Sequence, residues 1–310
     1  MSPREILNNF DIEHLPDLDI AVLGALELLY ERALPDTTAP FRRPLIVGSG
    51  NAEAVGRIMF ENNDSVFADE SGVEQAVNKS SGIDGAIVIS ASGGKHAVGV
   101  AKFLKEQGIE TMLFTNNENA PAKNFVAAKS VRVFPKNREP YTYNTSTYLS
   151  MILADTGESV EAILEHLKEN VTPKLSRRHL GSFGAFTLIV PPGFREIRAM
   201  FRTKFDELFG PYVNGRVFTS EEIKHAKTVV TSGDELFIGI GITNDSFGLP
   251  KNRLDLPLPE NAGYGAVMAV GYYVIGKIQH AHSPYFKNNI VKYTEEASKI
   301  FGEEIKPIVE

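Results

Sequence analysis

Apolar positions along this chain fall into two alternating kinds of run. The first kind is short, unbroken and rich in β-branched residues. It recurs at Pro44–Val47 (PLIV), Gly85–Ile89 (GAIVI), Thr111–Thr115 (TMLFT), 131–135 (VRVFP), 184–190 (GAFTLIV), 216–219, Glu235–Ile240 (ELFIGI) and 254–258. Runs of this length between turn residues predict buried strands. The second kind is longer and spaced for helices. Over 17–33 the apolar residues are Ile20, Leu23, Leu26, Leu29 and Tyr30, and over 97–107 they are Val98, Val100, Ala101 and Leu104. Pro35 ends the first of these and Gly108 caps the second. Further helices are predicted over 158–170, 195–209, 265–279 and Tyr285–Phe301. The 265–279 stretch is apolar almost all round, which predicts burial in a core or at a subunit contact. The 158–170 stretch is amphipathic, with His166 among Glu and Lys on its surface and a break at Val171-Thr172-Pro173. Ser220 is placed to cap a short helix over 221–226.

Strands alternating with helices through short connections imply parallel sheets covered on both sides. The pattern lapses near Ser176 and starts again, so a duplicated α/β fold is expected. The predicted organisation is an N-terminal helical segment (1–40), a first α/β domain (41–175), a second (176–283) and a C-terminal helix (284–310). In such sheets ligands bind outside the carboxyl ends of the strands.

Composition narrows the functional classes. A formal charge of -7 over 310 residues argues against nucleic acid as a main partner, so an anionic ligand needs local donors. Cysteine is absent, which removes disulfides, thiolate nucleophiles and Cys-based zinc sites. No run of eighteen apolar residues is present, and the acidic, polar start lacks a signal-peptide core; no membrane span and a cytoplasmic location are expected. His280 and His282 form only an HxH pair, and no metal or organic cofactor is expected.

Three clusters carry candidate chemistry. Gly48-Ser49-Gly50 follows a strand and opens a helix, an anion-binding geometry because free N–H groups point outward there. It is a fragment of a dinucleotide fingerprint, without the third Gly or a clear ribose-binding carboxylate. Ser90-Ala91-Ser92-Gly93-Gly94-Lys95 follows the next strand and offers two hydroxyls, several N–H groups and an ammonium, suited to a phosphate or sulfonate. Its plain alternative is a βα turn with a Ser cap. Lys204 and Glu207, three apart, share a helix face, and Glu222-Ile223-Lys224-His225 lies shortly beyond. An ammonium beside a carboxylate holds it ionised, which suits a general base; the alternative is a surface ion pair.

These residues resemble the sugar isomerase (SIS) family. The Ser90–Lys95 turn is similar to the family's Ser-x-Ser-Gly-x-Thr phosphate loop, with Ala91 between the serines and Lys95 in place of Thr. Lys204 and Glu207, with Glu222 to His225, resemble the Lys-x-x-Glu and Glu-x-x-His elements of the isomerase half of glucosamine-6-phosphate synthase and of bifunctional phosphoglucose/phosphomannose isomerases. The resemblance covers about residues 41 to 300 and implies two tandem SIS domains, each a flavodoxin-like parallel sheet flanked by helices. No amidotransferase domain precedes the matching region, so the complete glutamine-dependent synthase is not expected.

The resemblance implies an aldose–ketose isomerase for a hexose with an anionic group at C6, working through a cis-enediol. Glu207 would move the proton between C2 and C1, Lys204 would support its charge, and His225 would open the ring. Gly48, Ser49, Gly50, Ser90, Ser92, Gly93 and Lys95 would hold the anion. Glu139 would contact sugar hydroxyls, and the family's C-terminal catalytic lysine would be Lys287 or Lys292. A homodimer with the active site at its interface, the His lent by the neighbour, is implied as well. The Lys95 change makes a sulfonated hexose such as sulfoquinovose an alternative substrate. A deglycase for amino-sugar phosphates and a phosphosugar sensor without catalysis are further alternatives on the same fold.

Overall fold

The computed structural model of the protein describes residues 1–227, 230–302 and 304–310, with every side chain except that of Lys95. The chain forms two compact units, one of residues 31–136 and 147–157, the other of residues 1–30, 137–146 and 158–310.

In the first of these units the short apolar runs become strands β1 (Pro44–Val47), β2 (Val66–Ala68), β3 (Gly85–Ile89), β4 (Thr111–Thr115) and β5 (Val131–Val133). All are parallel, in the order β2-β1-β3-β4-β5. Unbroken hydrophobic runs are what strands covered on both faces require. Leu45, Val47, Ala86, Val88 and Leu113 pack with Ala97, Val100, Ala101 and Leu104 of the helix Lys95–Glu106. On the opposite face Ile46 and Ile89 lie against Gly56 of the helix Asn51–Met59. The strand Val66–Ala68 and the helix Val73–Lys79 escape the hydrophobic pattern, because VFA and VEQAVNK are too short to show a period.

The second unit holds β6 (Glu139–Pro140), β7 (Ala185–Val190), β8 (Asn214–Thr219), β9 (Glu235–Ile240), β10 (Arg253–Leu256) and β11 (Ile308–Val309). Strands β10-β9-β7-β8 form a parallel sheet, and β11 pairs antiparallel with β6. The expected buried helix is Tyr264–Ala281, and its first turn is capped by Glu158, whose carboxylate accepts from the N–H groups of Gly263, Gly265 and Ala266 at 2.7, 2.7 and 3.0 Å. Glycines let this helix approach its neighbours: Gly271 faces the Phe201 ring, and Gly276 faces the backbone of Asp19. Together these elements make an α/β fold of two parallel sheets flanked by helices.

Three local expectations are corrected. His166 is buried rather than surface-exposed, and its ring bonds the Pro257 carbonyl at 2.8 Å, so its polar neighbours in sequence conceal a tertiary partner. Val171-Thr172-Pro173 does not break the chain; a π-turn at Leu167–Val171 passes into the short helix Thr172–Leu175, whose first turn tolerates proline. Ser220 does not cap the next short helix, Ile223–Ala226. Thr219 and Glu222 cap that turn reciprocally, Thr219 N–H donating to Glu222 at 2.9 Å and Glu222 N–H donating to the Thr219 hydroxyl at 3.2 Å.

A Cβ on Gly276 would lie 2.0 Å from Asp19 N, and backbone cannot yield as a flexible side chain does. Gly276→Ala should therefore destabilise the fold by about 1–3 kcal/mol. Calorimetry should show Tm lowered by about 2–4 °C per kcal/mol. An unchanged Tm would mean that the helix and the Asp19 segment part freely.

Candidate active site

The helix Ile197–Phe209 puts Lys204 and Glu207 on one face, as their spacing requires. Its apolar residues Ile197, Met200, Phe201, Phe205 and Leu208 are buried and set its rotation, and Lys204 goes inward with them. The Lys204 side chain is 0% exposed and that of Glu207 20%. The ammonium donates to Glu207 Oε2 at 2.7 Å and to the Thr142 carbonyl at 2.5 Å, and lies 5.7 Å from the centre of the Tyr272 ring. This is not a solvated surface pair. A buried ammonium is tolerable only when its protons are matched by acceptors, and both acceptors here are close.

The acceptor Thr142 sits in a strained loop, with φ of 75° at Thr142 and 45° at Asn144. Non-glycine residues hold such angles only where the surroundings over-determine them. Here Glu139 accepts from Thr145 N–H at 2.6 Å and Ser146 N–H at 2.8 Å, anchoring the start of the helix Thr145–Thr156. Tyr141 N–H donates to the Pro307 carbonyl at 2.8 Å, and the Tyr143 hydroxyl donates to the Pro16 carbonyl at 3.0 Å. Glu139 is 3% exposed and uses both oxygens in this way, so it supports the loop from within. Burial raises the Glu139 pKa against the pull of those N–H groups and of the Lys204 charge.

Burial likewise raises the Glu207 pKa above its ordinary 4.5, and the opposing Lys204 charge and hydrogen bond do not cancel it. The ammonium was expected to hold this carboxyl ionised; the net shift runs the other way, because desolvation outweighs the Lys204 charge. A base lifted toward neutrality is a stronger proton acceptor when ionised. Tyr293, on the helix Tyr285–Phe301, has its pKa pushed up by burial and by the Glu207 charge, and its ring lies 6.0 Å from that of Tyr141.

His225 lies on the helix Ile223–Ala226 beyond β8 and is exposed. Among the described residues the structure records no side-chain bond from it to Lys204 or Glu207. Its motif partner Glu222 binds the Arg198 guanidinium, which ties this turn to the helix carrying Lys204. Burial would raise the Glu222 pKa, but the Thr219 N–H and Arg198 outweigh it and the net shift is downward. Neither candidate C-terminal lysine joins the pair. Lys287 is held by Asp17 at 2.8 Å, and Lys292 is exposed. In the tail, the Pro307 carbonyl accepts from Tyr141 N–H, and Lys306 is exposed like Lys292. Sequence reading missed Thr142 and Tyr293; the run Tyr141-Thr142-Tyr143-Asn144 between an acidic residue and an apolar helix was the available signal for the first.

The other clusters lie at the carboxyl ends of β1 and β3. In the order β2-β1-β3-β4-β5 these strands flank the switch point where the chain's connections diverge and a crevice opens. Gly48 and Gly50 follow β1. A Cβ on Gly48 would meet the backbone of Ala52 and Glu53 at 2.6 Å, and Gly50 adopts φ 55° at the N-cap of the helix Asn51–Met59. The Ser49 hydroxyl donates to Glu70, so this turn offers N–H groups rather than that proton. After β3, Ser90 Oγ accepts from Gly93 N–H at 3.1 Å and Ser92 Oγ from Gly94 N–H at 3.2 Å. Each hydroxyl hydrogen is left to donate elsewhere. Gly93 has φ 60°, and Gly94 supplies no side-chain cap to the helix that follows. Lys95 opens that helix, and its side chain lies outside the described residues.

No protein-family model matches this chain, and no curated protein matches it in sequence. Solved structures do match in fold. The C-terminal domain of glucosamine-fructose-6-phosphate aminotransferase from Francisella tularensis is 10% identical, with 88% of this chain and 98% of that chain covered at a TM-score of 0.62. Tagatose-6-phosphate ketose/aldose isomerase from Escherichia coli is 12% identical, with 92% of each chain covered at a TM-score of 0.58. Glucosamine-6-phosphate deaminase from Thermotoga maritima is 15% identical, covering 90% and 94% at a TM-score of 0.56. The protein therefore has the α/β fold shared by these structures, with parallel sheets flanked by helices as the resemblance implied. Among the described residues, no helix is long and apolar enough to cross a membrane.

The direction of the Glu207 shift has a measurable consequence. If Glu207 must be ionised to act, the acidic limb of kcat/KM lies above the ordinary 4.5, because burial raises the group. Lys204→Met removes the charge that draws it down, so the limb should move to still higher pH. A limb that moved to lower pH would show that the ammonium does not act on Glu207.

Proposed function

We propose that this protein is an aldose–ketose isomerase for a hexose carrying an anionic group at C6. The reading is carried by one observation: a part-buried carboxyl of raised pKa, held at 2.7 Å by a buried ammonium, on a fold shared with a ketose/aldose isomerase. Isomerisation requires a base that takes a proton from C2 and returns it at C1, with stabilisation of the negative charge on the enediolate between the two steps. Glu207 is that base. The electron pair of the broken C2–H bond forms the C1–C2 double bond and the carbonyl oxygen O1 takes up the charge; the O2 proton then passes to O1, and the C2 carbonyl forms as C1 takes back the proton from Glu207. Lys204 holds Glu207 in position.

The turn after β3 binds the anionic group through the Ser90 and Ser92 hydroxyls and the N–H groups that open the helix Lys95–Glu106. His225 opens the sugar ring and acts in the site of a second copy, which fits its exposure.

Glu207→Gln preserves size and polarity while removing the base. It should lower kcat by about 10²–10⁴ and leave binding of glucitol 6-phosphate intact. Near-normal turnover with glucose 6-phosphate, mannose 6-phosphate, a 6-sulfo hexose and an amino-sugar phosphate would remove the assignment. The dimer proposal has its own test. Mixing inactive Glu207→Gln and His225→Ala proteins should restore part of the activity, since some sites then combine an intact Glu207 with an intact His225 from the other chain. Mixtures as inactive as their components would show that the His is not exchanged.

A further inference from the structure

A pocket lies at the C-terminal end of the helix that carries the pair. Its volume is about 390 Å³, and its lining includes Phe209, Tyr212, His282, Tyr285, Asn288 and Asn289. Phe209 follows Glu207 by two positions, roughly half a turn, so it points away from the carboxyl.

The pocket is built around an aromatic corner. Gly210 has φ 52°, and a Cβ there would lie 2.5 Å from the Tyr285 ring, so only glycine lets that ring rest on the backbone. The Tyr212 ring meets it at a centroid distance of 5.3 Å and an angle of 62°. Tyr212 is nevertheless 73% exposed, a large aromatic surface left open to water. Tyr285, Asn288 and Asn289 follow one another at helical spacing on a single face. Asn289 donates from its amide nitrogen to the Tyr285 carbonyl at 2.7 Å, which leaves its carbonyl oxygen as an acceptor. The structure records no hydrogen bond from the Asn288 side chain to a described residue.

The chemistry of the lining selects a ligand class. Among the described residues, no Asp, Glu, Lys or Arg contributes to it. Burial draws the His282 pKa down, which disfavours the charged imidazole. An ionic ligand would find no counter-charge. Two rings at 62° form a corner rather than a parallel slot, which suits a puckered ring with one C–H face better than a sandwiched nucleobase. Amide groups that both donate and accept match vicinal hydroxyls. The volume lies near the small end of the usual range of about 300–1,000 Å³ for small-molecule sites.

We propose that this pocket binds an uncharged monosaccharide, at a site separate from the Lys204–Glu207 pair. The bound ring stacks on the Tyr212–Tyr285 corner and exchanges hydrogen bonds with Asn288 and Asn289. The occupant therefore touches both the end of the Glu207 helix and the helix bearing Tyr293. This inference does not depend on the isomerase reading, since the ligand lacks the anionic group that reading requires.

Saturation-transfer NMR and titration calorimetry with D-glucose and D-fructose test it directly. Either sugar should bind in the millimolar range, with saturation concentrated on the C–H groups of one ring face. Tyr212→Ala, at an exposed position, should weaken binding about tenfold, the equivalent of about 1.4 kcal/mol. Asn288→Leu should weaken it comparably, and an excess of glucitol 6-phosphate should not displace the sugar. Any of four results would overturn the proposal: no transfer to either hexose, undiminished binding in both variants, displacement by glucitol 6-phosphate, or tighter binding of adenosine.

Discussion

A fully buried ammonium must find oxygen acceptors, and the arrangement of the larger unit follows from how Lys204 finds them. One acceptor, Glu207, comes with the helix itself. The other, the Thr142 carbonyl, comes from far away in sequence and must be held against its own conformational preference, with φ at 75°. Glu139, Tyr143 and the Tyr141–Pro307 contact share that restraint. The N-terminal segment through Pro16, the buried helix through Gln279 and the tail through Pro307 thus meet at one loop. Removing the ammonium would leave a carboxyl and a carbonyl facing one another without a donor.

The same constraint explains the electrostatics of Glu207. A surface Lys–Glu pair at this spacing contributes a few tenths of a kcal/mol and holds the acid ionised. Burial changes the balance, because desolvation penalises the carboxylate more than a single ammonium, itself shared with Thr142, compensates. The resulting carboxyl gives up its proton less readily than a free one.

In the five-stranded sheet, topology plays the corresponding part. The order β2-β1-β3-β4-β5 makes β1 and β3 neighbours whose following helices leave in different directions, so their turns border a crevice. Gly48, Gly50 and Gly93 are where backbone approaches closely or takes a positive φ, and side chains there would fill or distort those turns. Serine hydroxyls that accept from the turn's own N–H groups are oriented with their hydrogens left over.

Local pattern was enough for the strands and long helices, because a period of about two or 3.6 in apolar residues is a property of neighbouring positions. Strands β1, β3, β4, β7 and β9, the helix Ile197–Phe209 and the buried helix Tyr264–Ala281 were legible for that reason, and so was the shared face of Lys204 and Glu207. Short elements such as Val66–Ala68 contain too few residues to display a period. His166 reads as a surface residue from its neighbours, yet it is buried against Pro257, about ninety positions on. Thr142 gains its place through a loop with positive φ, which leaves no local trace. Sequence by itself determined which residues share a strand or a helix face. Only the tertiary structure decided which faces are dry, and with that whether a Lys–Glu pair is a solvated decoration or a buried pair whose carboxyl is shifted by desolvation.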